Sequence, residues 1–597
     1  MNFTRKTLWV TLTLGASLLA PAWAQDKGKN STPTSSEATQ ESANEVNNSA
    51  LSAEMFYGIL LGEINLQSAP DEGSARDAFV LILDAAERSG DERLYERAVQ
   101  IAMQNRSGNA ALQAVRAWKR SAPASANANR YHIEILIALN RIEESVSLLR
   151  QEIRRAAPPD RVAIIARIPQ GYANATDKPK LAALIEKSLA EYLQQKDTAV
   201  ASWVTLGRLR LAAKDFSGAQ DAARMAASLA PDDATPMALA IELLAPDQPM
   251  AEAMVKTFLA KHPDNTDVRF AYARALIQLD RMVDARSQIQ QVIHSKPAWA
   301  TPHLILGTLA GEVGDAAQAQ SSLQEYLRLS EPLPVTEKQR GRSQAYLVLS
   351  SISFKSGDYD RALFWLDKID TPSDPLGLVI QRANIVAKQG QLEEALALVE
   401  QYTADEPVQE LRKILAQTQL LKDQGLNQRA FDFLQQARKT RKNDADLLLE
   451  QAMLAEKLDQ FETMESLLRE HMALKPLDHA AYNALGYFLA DHNQRLDEAK
   501  SLIEKALSLA PGDPYITDSL AWVEFRMGQK ARAAELLEQA FARKPDPEIG
   551  AHLAEVYWSL NRREEATEMA RRSLRLSPNN TVLTQTIQRL GIPVGRK

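Results

Sequence analysis

The chain has 597 residues, a formal net charge of −6 and no cysteine. The lack of cysteine excludes disulfides, thiolate metal sites, thiol nucleophiles and a lipid anchor carried on a cysteine. No run of Lys and Arg is dense enough to bind a phosphate backbone, so nucleic acid is not an expected partner. The length exceeds the roughly 250–300 residues of a single globular core, which favours several domains or a repeat array.

Residues 1–24 have the pattern of a cleavable signal peptide. Arg5 and Lys6 precede an apolar stretch from Leu8 to Ala20, and the segment 21–24 offers small residues before Gln25. The alternative is an uncleaved membrane anchor, but the apolar stretch is shorter than the about 20 residues that a spanning helix needs. We therefore expect export to the periplasm of a Gram-negative bacterium, and no integral membrane segment in the mature chain.

Residues 25–50 form a polar segment without aromatic residues and with a single valine. Such a segment buries too little apolar surface to offset the entropy lost on ordering. We expect a disordered tether that separates the cleavage site from the folded part.

From residue 51 onward, apolar residues recur three and four apart, as in amphipathic helices, and turn residues interrupt them at regular intervals. The helix-ending prolines are spaced by 32 to 35 residues and fall into two series, Pro231, Pro263, Pro297 and Pro332, then Pro476, Pro511, Pro545 and Pro578. This period indicates that one helical hairpin of about 34 residues is repeated along the chain.

One unit carries the repeat pattern most clearly. Trp203, Leu206 and Gly207 are followed by Ala219 and Pro231 at the offsets of the tetratricopeptide repeat, which this unit resembles. Small residues at 207 and 219 allow two antiparallel helices to approach closely, and the proline stops the second helix. Similar units continue to Pro578, including one that ends at Pro407. The resemblance implies an all-α fold, a helical-hairpin solenoid coiled as a right-handed superhelix.

The quality of the repeat pattern varies along the chain and divides it. Around Asn493 to Arg495 one unit has an additional residue in its turn, which predicts a local bulge. The segment 587–597 is expected to cap the last pair of helices. The predicted organisation is a degenerate N-terminal array at 51–157, an irregular helical joint at 158–198, a central array at 199–440 and a C-terminal array at 441–597.

No motif for catalysis, metal binding or cofactor binding is evident. The chain lacks a phosphate-binding glycine loop, a Gly-x-Ser-x-Gly elbow, a His-Glu-x-x-His pair and a calcium loop. The densest histidines, His471, His479 and His492, show no carboxylate partner in the sequence, and metal ligands normally have one. We expect no catalytic residues, no metal and no cofactor, and a protein that is not an enzyme.

The resemblance instead implies a concave surface, formed by the first helix of each hairpin, that recognises proteins or peptides. Aromatic residues and Arg are favoured at such interfaces, although Trp522 and Trp558 could equally fill space between helices. The candidate groove residues are Tyr487, Trp522, Phe525, Arg526, Glu555, Trp558, Arg208, Arg274 and Lys355.

Two parts of the chain resemble a narrower family, the lipoprotein adaptors of carboxyl-terminal processing proteases in pseudomonads. They are the start of the fold, residues 51–64 and 92–98, and the closing block at 482–490, 496–499 and 518–522. The resemblance implies a coil that wraps a periplasmic serine protease, brings substrates to it and activates it. These adaptors carry a lipidated cysteine that this chain lacks, so association with the outer membrane would require a partner.

A second class of function fits the same repeats. The chain could act as an assembly scaffold for an envelope machine, such as one for polysaccharide export, pili or outer-membrane complexes. The proteins that accompany it would discriminate between the two, since one function requires a processing protease and the other a synthase or a porin.

Overall fold

The structure is a computed structural model, and it describes residues 52–68, 72–245 and 249–595. The predicted signal peptide at 1–24 and the tether at 25–50 lie outside these residues. Within them every regular element is a helix, 31 in all, and no strand occurs. The predicted all-α solenoid of helical hairpins is confirmed. The chain divides into two compact units that meet between Leu333 and Pro334.

The first unit contains sixteen helices among its described residues. They are α1 Ala53–Ser68, α2 Glu72–Ser89, α3 Glu92–Gln104, α4 Gly108–Ser121, α5 Ala126–Ala138, α6 Ile142–Arg155, α7 Pro158–Gly171, α8 Lys178–Leu189, α9 Ala199–Ala212, α10 Phe216–Leu229, α11 Thr235–Glu242, α12 Pro249–Lys261, α13 Thr266–Gln278, α14 Met282–Ser295, α15 Ala300–Glu312 and α16 Ala316–Leu329.

The second unit contains fifteen helices among its described residues. They are α17 Val335–Lys355, α18 Tyr359–Leu366, α19 Pro375–Lys388, α20 Leu392–Glu400, α21 Pro407–Asp423, α22 Asn427–Thr440, α23 Ala445–Lys457, α24 Phe461–Leu474, α25 His479–Asp491, α26 Leu496–Leu509, α27 Pro514–Arg526, α28 Lys530–Arg543, α29 Pro547–Ser559, α30 Arg563–Leu576 and α31 Thr581–Leu590.

The helix ends follow from local side-chain chemistry. Aspartates cap helices of several hairpins: Asp215, before α10, accepts a hydrogen bond from the backbone N–H of Gly218, and Asp513, before α27, accepts from those of Tyr515 and Ile516. Pro231 and Pro511 each lie two residues beyond the end of a second helix, as the spacing predicted. Pro407 differs, because it is the first residue of α21 rather than the end of the preceding helix.

The hairpin turns require a left-handed residue between the two helices. Asp280 and Asn561 adopt φ of 59° and 63°, and several other described turns use Gly in this conformation. The turn between α25 and α26 has two such residues, Asn493 with φ 51° and Arg495 with φ 42°. The additional residue predicted at this turn is therefore confirmed, and the second left-handed residue accommodates it.

Small residues allow the two helices of a hairpin to approach closely. A Cβ added at Gly486 on α25 would lie 2.6 Å from Cγ1 of Ile503 and 2.9 Å from the backbone oxygen of Ala499, both on α26. Ala499 and Ala506 are fully buried. In each unit the core is a series of clusters of mostly aliphatic buried side chains between stacked hairpins.

The predicted boundaries at 157/158, 198/199 and 440/441 stay predictions. The segment 158–198 contains α7, with Pro169 inside it, and α8, which is followed by turns up to residue 198. Near the end of the chain, four apolar side chains pack on Ala554 and Ala570 of the last hairpin, those of Ile587, Leu590, Ile592 and Val594. The predicted cap at 587–597 stays a prediction.

Candidate functional site

The first helices of the last three hairpins, together with the terminal helix α31, form the inner face of the second unit. Along this face α25 contacts α27, α27 contacts α29, and α29 contacts α31. The second helices α26 and α28 instead make most of their contacts with the first helices beside them. Helices on the inside of a curved stack lie closer together than those on the outside, so the first helices line the concave side. Six of the nine candidate groove residues lie here, on α25, α27 and α29.

Trp522, on α27, is almost completely buried, with 4% of its surface exposed. Its ring stacks on the His552 imidazole of α29, with centroids 4.3 Å apart, and its indole N–H donates to Asp491 Oδ1 of α25 at 3.1 Å. The indole thus joins three successive first helices. Of the two alternatives for Trp522, this burial favours the one in which the indole fills space between helices. Little of the ring remains exposed to a partner.

His552 is a buried histidine that the sequence analysis did not select. Its Nδ1 lies 2.8 Å from Asp518 Oδ1, and its Nε2 lies 3.5 Å from the Tyr487 hydroxyl. Burial opposes the charged imidazole, but the Asp518 carboxylate outweighs it and raises the pKa of His552 above its usual range. Burial together with Asp518 and Asp491 also raises the pKa of Tyr487, which therefore stays a neutral hydroxyl.

Arg526 lies at the carboxyl end of α27, where it contacts both the aromatic ring and the neighbouring helix. Its guanidinium is 4.9 Å from the centroid of the Trp522 ring, and one of its nitrogens donates to the backbone oxygen of Asp491 at 2.8 Å. Phe525 is half-buried beside the same indole, with ring centroids 5.3 Å apart. Arg526 therefore caps the C-terminus of α25 and is only partly available to a partner.

Glu555 and Trp558, both on α29, differ in availability. Glu555 is buried and accepts hydrogen bonds from Arg589 of α31, with Nη1 to Oε1 at 2.9 Å. Trp558 is half-buried, and the Arg563 guanidinium covers its ring at 3.7 Å from the centroid. An exposed Arg on an aromatic ring is easily displaced, because the cation–π contact contributes only about 0.5–1 kcal/mol at such sites. Trp558 is therefore the more accessible of the two tryptophans.

The remaining three candidates lie apart from this cluster. In the first unit, Arg208 on α9 pairs with Glu242 on α11 at 2.7 Å, and Arg274 on α13 is half-buried without an ion-pair partner among the described residues. In the second unit, Lys355 is exposed at the end of α17. The structure brings together the six C-terminal candidates but not these three.

The inner face around Trp522 is acidic. Asp491, Asp518, Glu548 and Glu555 lie on α25, α27 and α29. Among the described residues, the guanidiniums that contact them are those of Arg526 and Arg589. The Asp491 side chain is 45% exposed, so its carboxylate can still accept hydrogen bonds from a ligand. An acidic face with exposed aromatic edges favours a protein segment that carries Lys or Arg beside apolar side chains.

His471 has the carboxylate partner that the sequence did not reveal. Its Nε2 lies 3.1 Å from Asp478 Oδ2, and its Nδ1 lies 2.8 Å from the backbone oxygen of Ala445. The ring is fully buried and joins α24 to the starts of α23 and α25, which is a structural role. In the part of the chain that the structure describes, no group of three or more His, Asp or Glu could hold a metal ion, and no helix is long and apolar enough to cross a membrane.

The sequence analysis did not select the residues that contact the candidates, because no sequence motif marks those residues. Asp491, Asp518 and His552 are 27 to 61 residues apart in sequence, and only the stacking of hairpins brings them together. One signal was available for the ion pairs, since Arg208 and Glu242, like Glu555 and Arg589, are separated by 34 residues. Opposite charges one repeat apart on the same helix face predict a contact between neighbouring first helices.

Comparison with known proteins identifies the repeat. The tetratricopeptide repeat family matches residues 251–304, 462–514, 492–551 and 551–580. A tetratricopeptide-repeat-containing protein of Pseudomonas aeruginosa is 34% identical over 211 residues, which span 35% of this chain and 36% of that protein. The alignment therefore covers about a third of the relative.

Two solved structures illustrate the similarity to proteins of this repeat type. A thermophilic tetratricopeptide protein of Thermus thermophilus is 23% identical, with 30% of this chain and 97% of that chain covered and a TM-score of 0.28. A tetratricopeptide repeat protein of Parabacteroides merdae is 16% identical, with 42% and 99% covered and a TM-score of 0.33.

Proposed function

Because the chain contains tetratricopeptide repeats, which generally act as scaffolds for protein–protein interaction, we propose that it is a non-enzymatic adaptor in the periplasm of a Gram-negative bacterium. More narrowly, we propose that it brings substrates to a carboxyl-terminal processing protease and activates that protease. The observation that carries the adaptor function is the inner face of α25, α27 and α29, where Trp558, Phe525 and Asp491 remain partly exposed.

The chemistry of this face supports a protein ligand of defined character. Trp522, His552 and Asp518 form a buried base, and Phe525 packs on the Trp522 ring, so the exposed edge of Phe525 is held in place before a ligand arrives. A surface that needs no ordering loses less entropy on binding. The surrounding carboxylates favour a basic, partly apolar segment of the partner. The protease itself is proposed on the resemblance of five segments to the adaptor family, residues 51–64, 92–98, 482–490, 496–499 and 518–522.

Binding of the purified chain to a purified carboxyl-terminal processing protease tests the narrow proposal. We expect a complex in calorimetry and faster cleavage of a protein substrate when the chain is present. The variant Trp558→Ala should weaken the binding of protease or substrate at least tenfold. Leu477→Ala is the matched control, since Leu477 is a large apolar residue of the same unit, 78% exposed in a loop outside the inner face. Equal effects of the two variants would contradict a role for this face.

Affinity capture from the native periplasm, with identification by mass spectrometry, separates the adaptor from the second candidate. Recovery of a processing protease supports the adaptor. Recovery of polysaccharide-export, pilus or outer-membrane components without a protease supports an assembly scaffold. Sequencing the N-terminus of the captured chain tests export, because a mature chain that begins at Gln25 requires cleavage after Ala24.

A further inference from the structure

The first helix of the fold has an exposed apolar strip. Phe56, Tyr57, Leu60, Leu61 and Ile64 of α1 are between 38% and 66% exposed. Their spacing places them along one side of the helix, because residues four apart lie on the same side of successive turns. Met55 and Gly62 are buried against the rest of the unit, and Gly62 lies close to Ala78 of α2. We call the five exposed residues the α1 strip.

The last helix that the structure describes, α31, differs from α1 in its exposed residues. The exposed residues of the last helix, α31, are Thr581, Gln585, Gln588 and Arg589, all polar. Terminal repeats need a polar outer face, since no further repeat covers them. α1 has apolar side chains in the exposed positions instead, so its outer face has the chemistry of a surface that another helix covers.

Charge on α1 indicates what kind of partner fits. The helix has no Lys or Arg, and each of its two carboxylates has an arginine of the same unit beside it: Glu63 pairs with Arg97 at 2.6 Å, and Glu54 lies 3.5 Å from Arg88. A helix without basic residues gains nothing from an anionic lipid surface. With its charges already paired, the α1 strip can meet an identical strip without uncompensated like charges.

We propose that the α1 strip is a self-association surface, and that two copies of this chain pair through it about a two-fold axis near Leu60. In an antiparallel pair of this kind, Phe56 of one copy faces Ile64 of the other. Such an isologous contact closes on itself and forms a dimer rather than a fibre. The dimer presents two copies of the inner face of the second unit, so each assembly binds two ligand segments.

The size of the strip predicts a weak, reversible dimer. A fully buried aromatic side chain covers about 150–250 Å², so the five partly exposed residues present on the order of 400–500 Å² per chain. Pairing would bury about 800–1,000 Å² in total, which is near the lower limit for a specific interface. We therefore expect dimers to form over roughly 1–100 µM.

Sedimentation velocity of the chain over this concentration range tests the proposal. We expect a monomer–dimer equilibrium, and we expect Leu60→Glu to shift its midpoint at least tenfold toward monomer. Val283→Glu is the control, because Val283 is an isolated apolar residue on α14 that is 82% exposed. A monomer at every concentration, or a dimer that both variants weaken equally, would overturn the proposal.

The absence of cysteine provides a second, independent readout. In a Leu60→Cys variant the only thiol lies at the proposed axis, so mild oxidation should give a disulfide-linked dimer in high yield. Val283→Cys should remain largely monomeric. Equal yields for the two variants contradict the pairing. Flotation of the chain with phospholipid vesicles that Leu60→Glu abolishes would instead assign the strip to a membrane surface and overturn the dimer.

Discussion

Arg208 on α9 donates three hydrogen bonds, of 2.7 to 3.1 Å, to the carboxylate of Glu242 on α11, one repeat further along the chain. An equivalent ion pair joins Glu63 and Arg97, but here the acidic residue comes first in the sequence. In both pairs the residues are 34 positions apart, and each side chain is about a quarter to a third exposed. The ion pairs therefore join neighbouring first helices, and they reduce the charge that Arg208 can offer to a ligand.

Reversing one charge of this pair should destabilise the first unit. In Arg208→Glu two carboxylates face each other at a partly buried site, and we expect the free energy of unfolding to fall by about 1–3 kcal/mol. Adding Glu242→Arg should restore most of the loss. Urea unfolding followed by circular dichroism measures both effects. Arg224→Glu is the control, because its ion pair with Asp221 is well exposed and should change stability by less than about 0.5 kcal/mol.

The two tryptophans should respond differently to truncation. Trp522→Ala removes a buried indole and leaves a cavity beside His552, so we expect a loss of about 3–5 kcal/mol in the stability of the second unit. Trp558→Ala removes a half-buried ring and should affect stability less than ligand binding. Thermal unfolding and calorimetry of each variant separate these effects. A Trp522→Ala protein that melts like the wild type would show that its burial contributes little.

The sequence predicted the repeat but not the interior of its groove. The period of about 34 residues, the small residues at 207 and 219 and the additional turn residue near 493 are local signals, and the structure bears them out. The burial of Trp522 depends on how tightly neighbouring first helices approach. Side chains from three hairpins decide that distance together, and no single repeat encodes it. The division after residue 333 falls where the first series of helix-ending prolines stops, at Pro332, but the predicted organisation has no boundary there.

Gly486 tests whether close helix approach is required. A methyl group at this position would meet the backbone oxygen of Ala499 at 2.9 Å, which cannot move as a side chain can. We expect Gly486→Ala to lower the free energy of unfolding by about 1–3 kcal/mol, although alanine favours helices. Gly171→Ala is the matched control: it also lies in a helix but has no atom within 4 Å of the new Cβ, so it should be neutral or stabilising. Equal destabilisation by both variants would contradict the packing argument.

Because of Glu252 on α12, the stability of the first unit should decrease at low pH. Its carboxylate accepts hydrogen bonds from Arg281 at 2.7 and 3.0 Å and from the Tyr272 hydroxyl at 2.7 Å. Arg281 is the main cause that lowers the pKa of Glu252 from 4.5 to about 2, although partial burial opposes the shift. Because the pKa is lower in the folded chain, the unfolded chain binds the proton more readily.

The stabilisation from this carboxylate is therefore complete above about pH 5 and is lost as the pH falls from about 4.5 to 2. In Glu252→Gln the side chain cannot titrate, so stability at pH 7 should be lower and its decline between pH 5 and pH 2 should be shallower than in the wild type. Arg281→Met should give the same shallow profile, since without the guanidinium the main cause of the pKa shift is gone. Urea midpoints measured from pH 7 to pH 2 provide the comparison. If both variants keep the wild-type slope, another carboxylate controls the acid response and Glu252 does not.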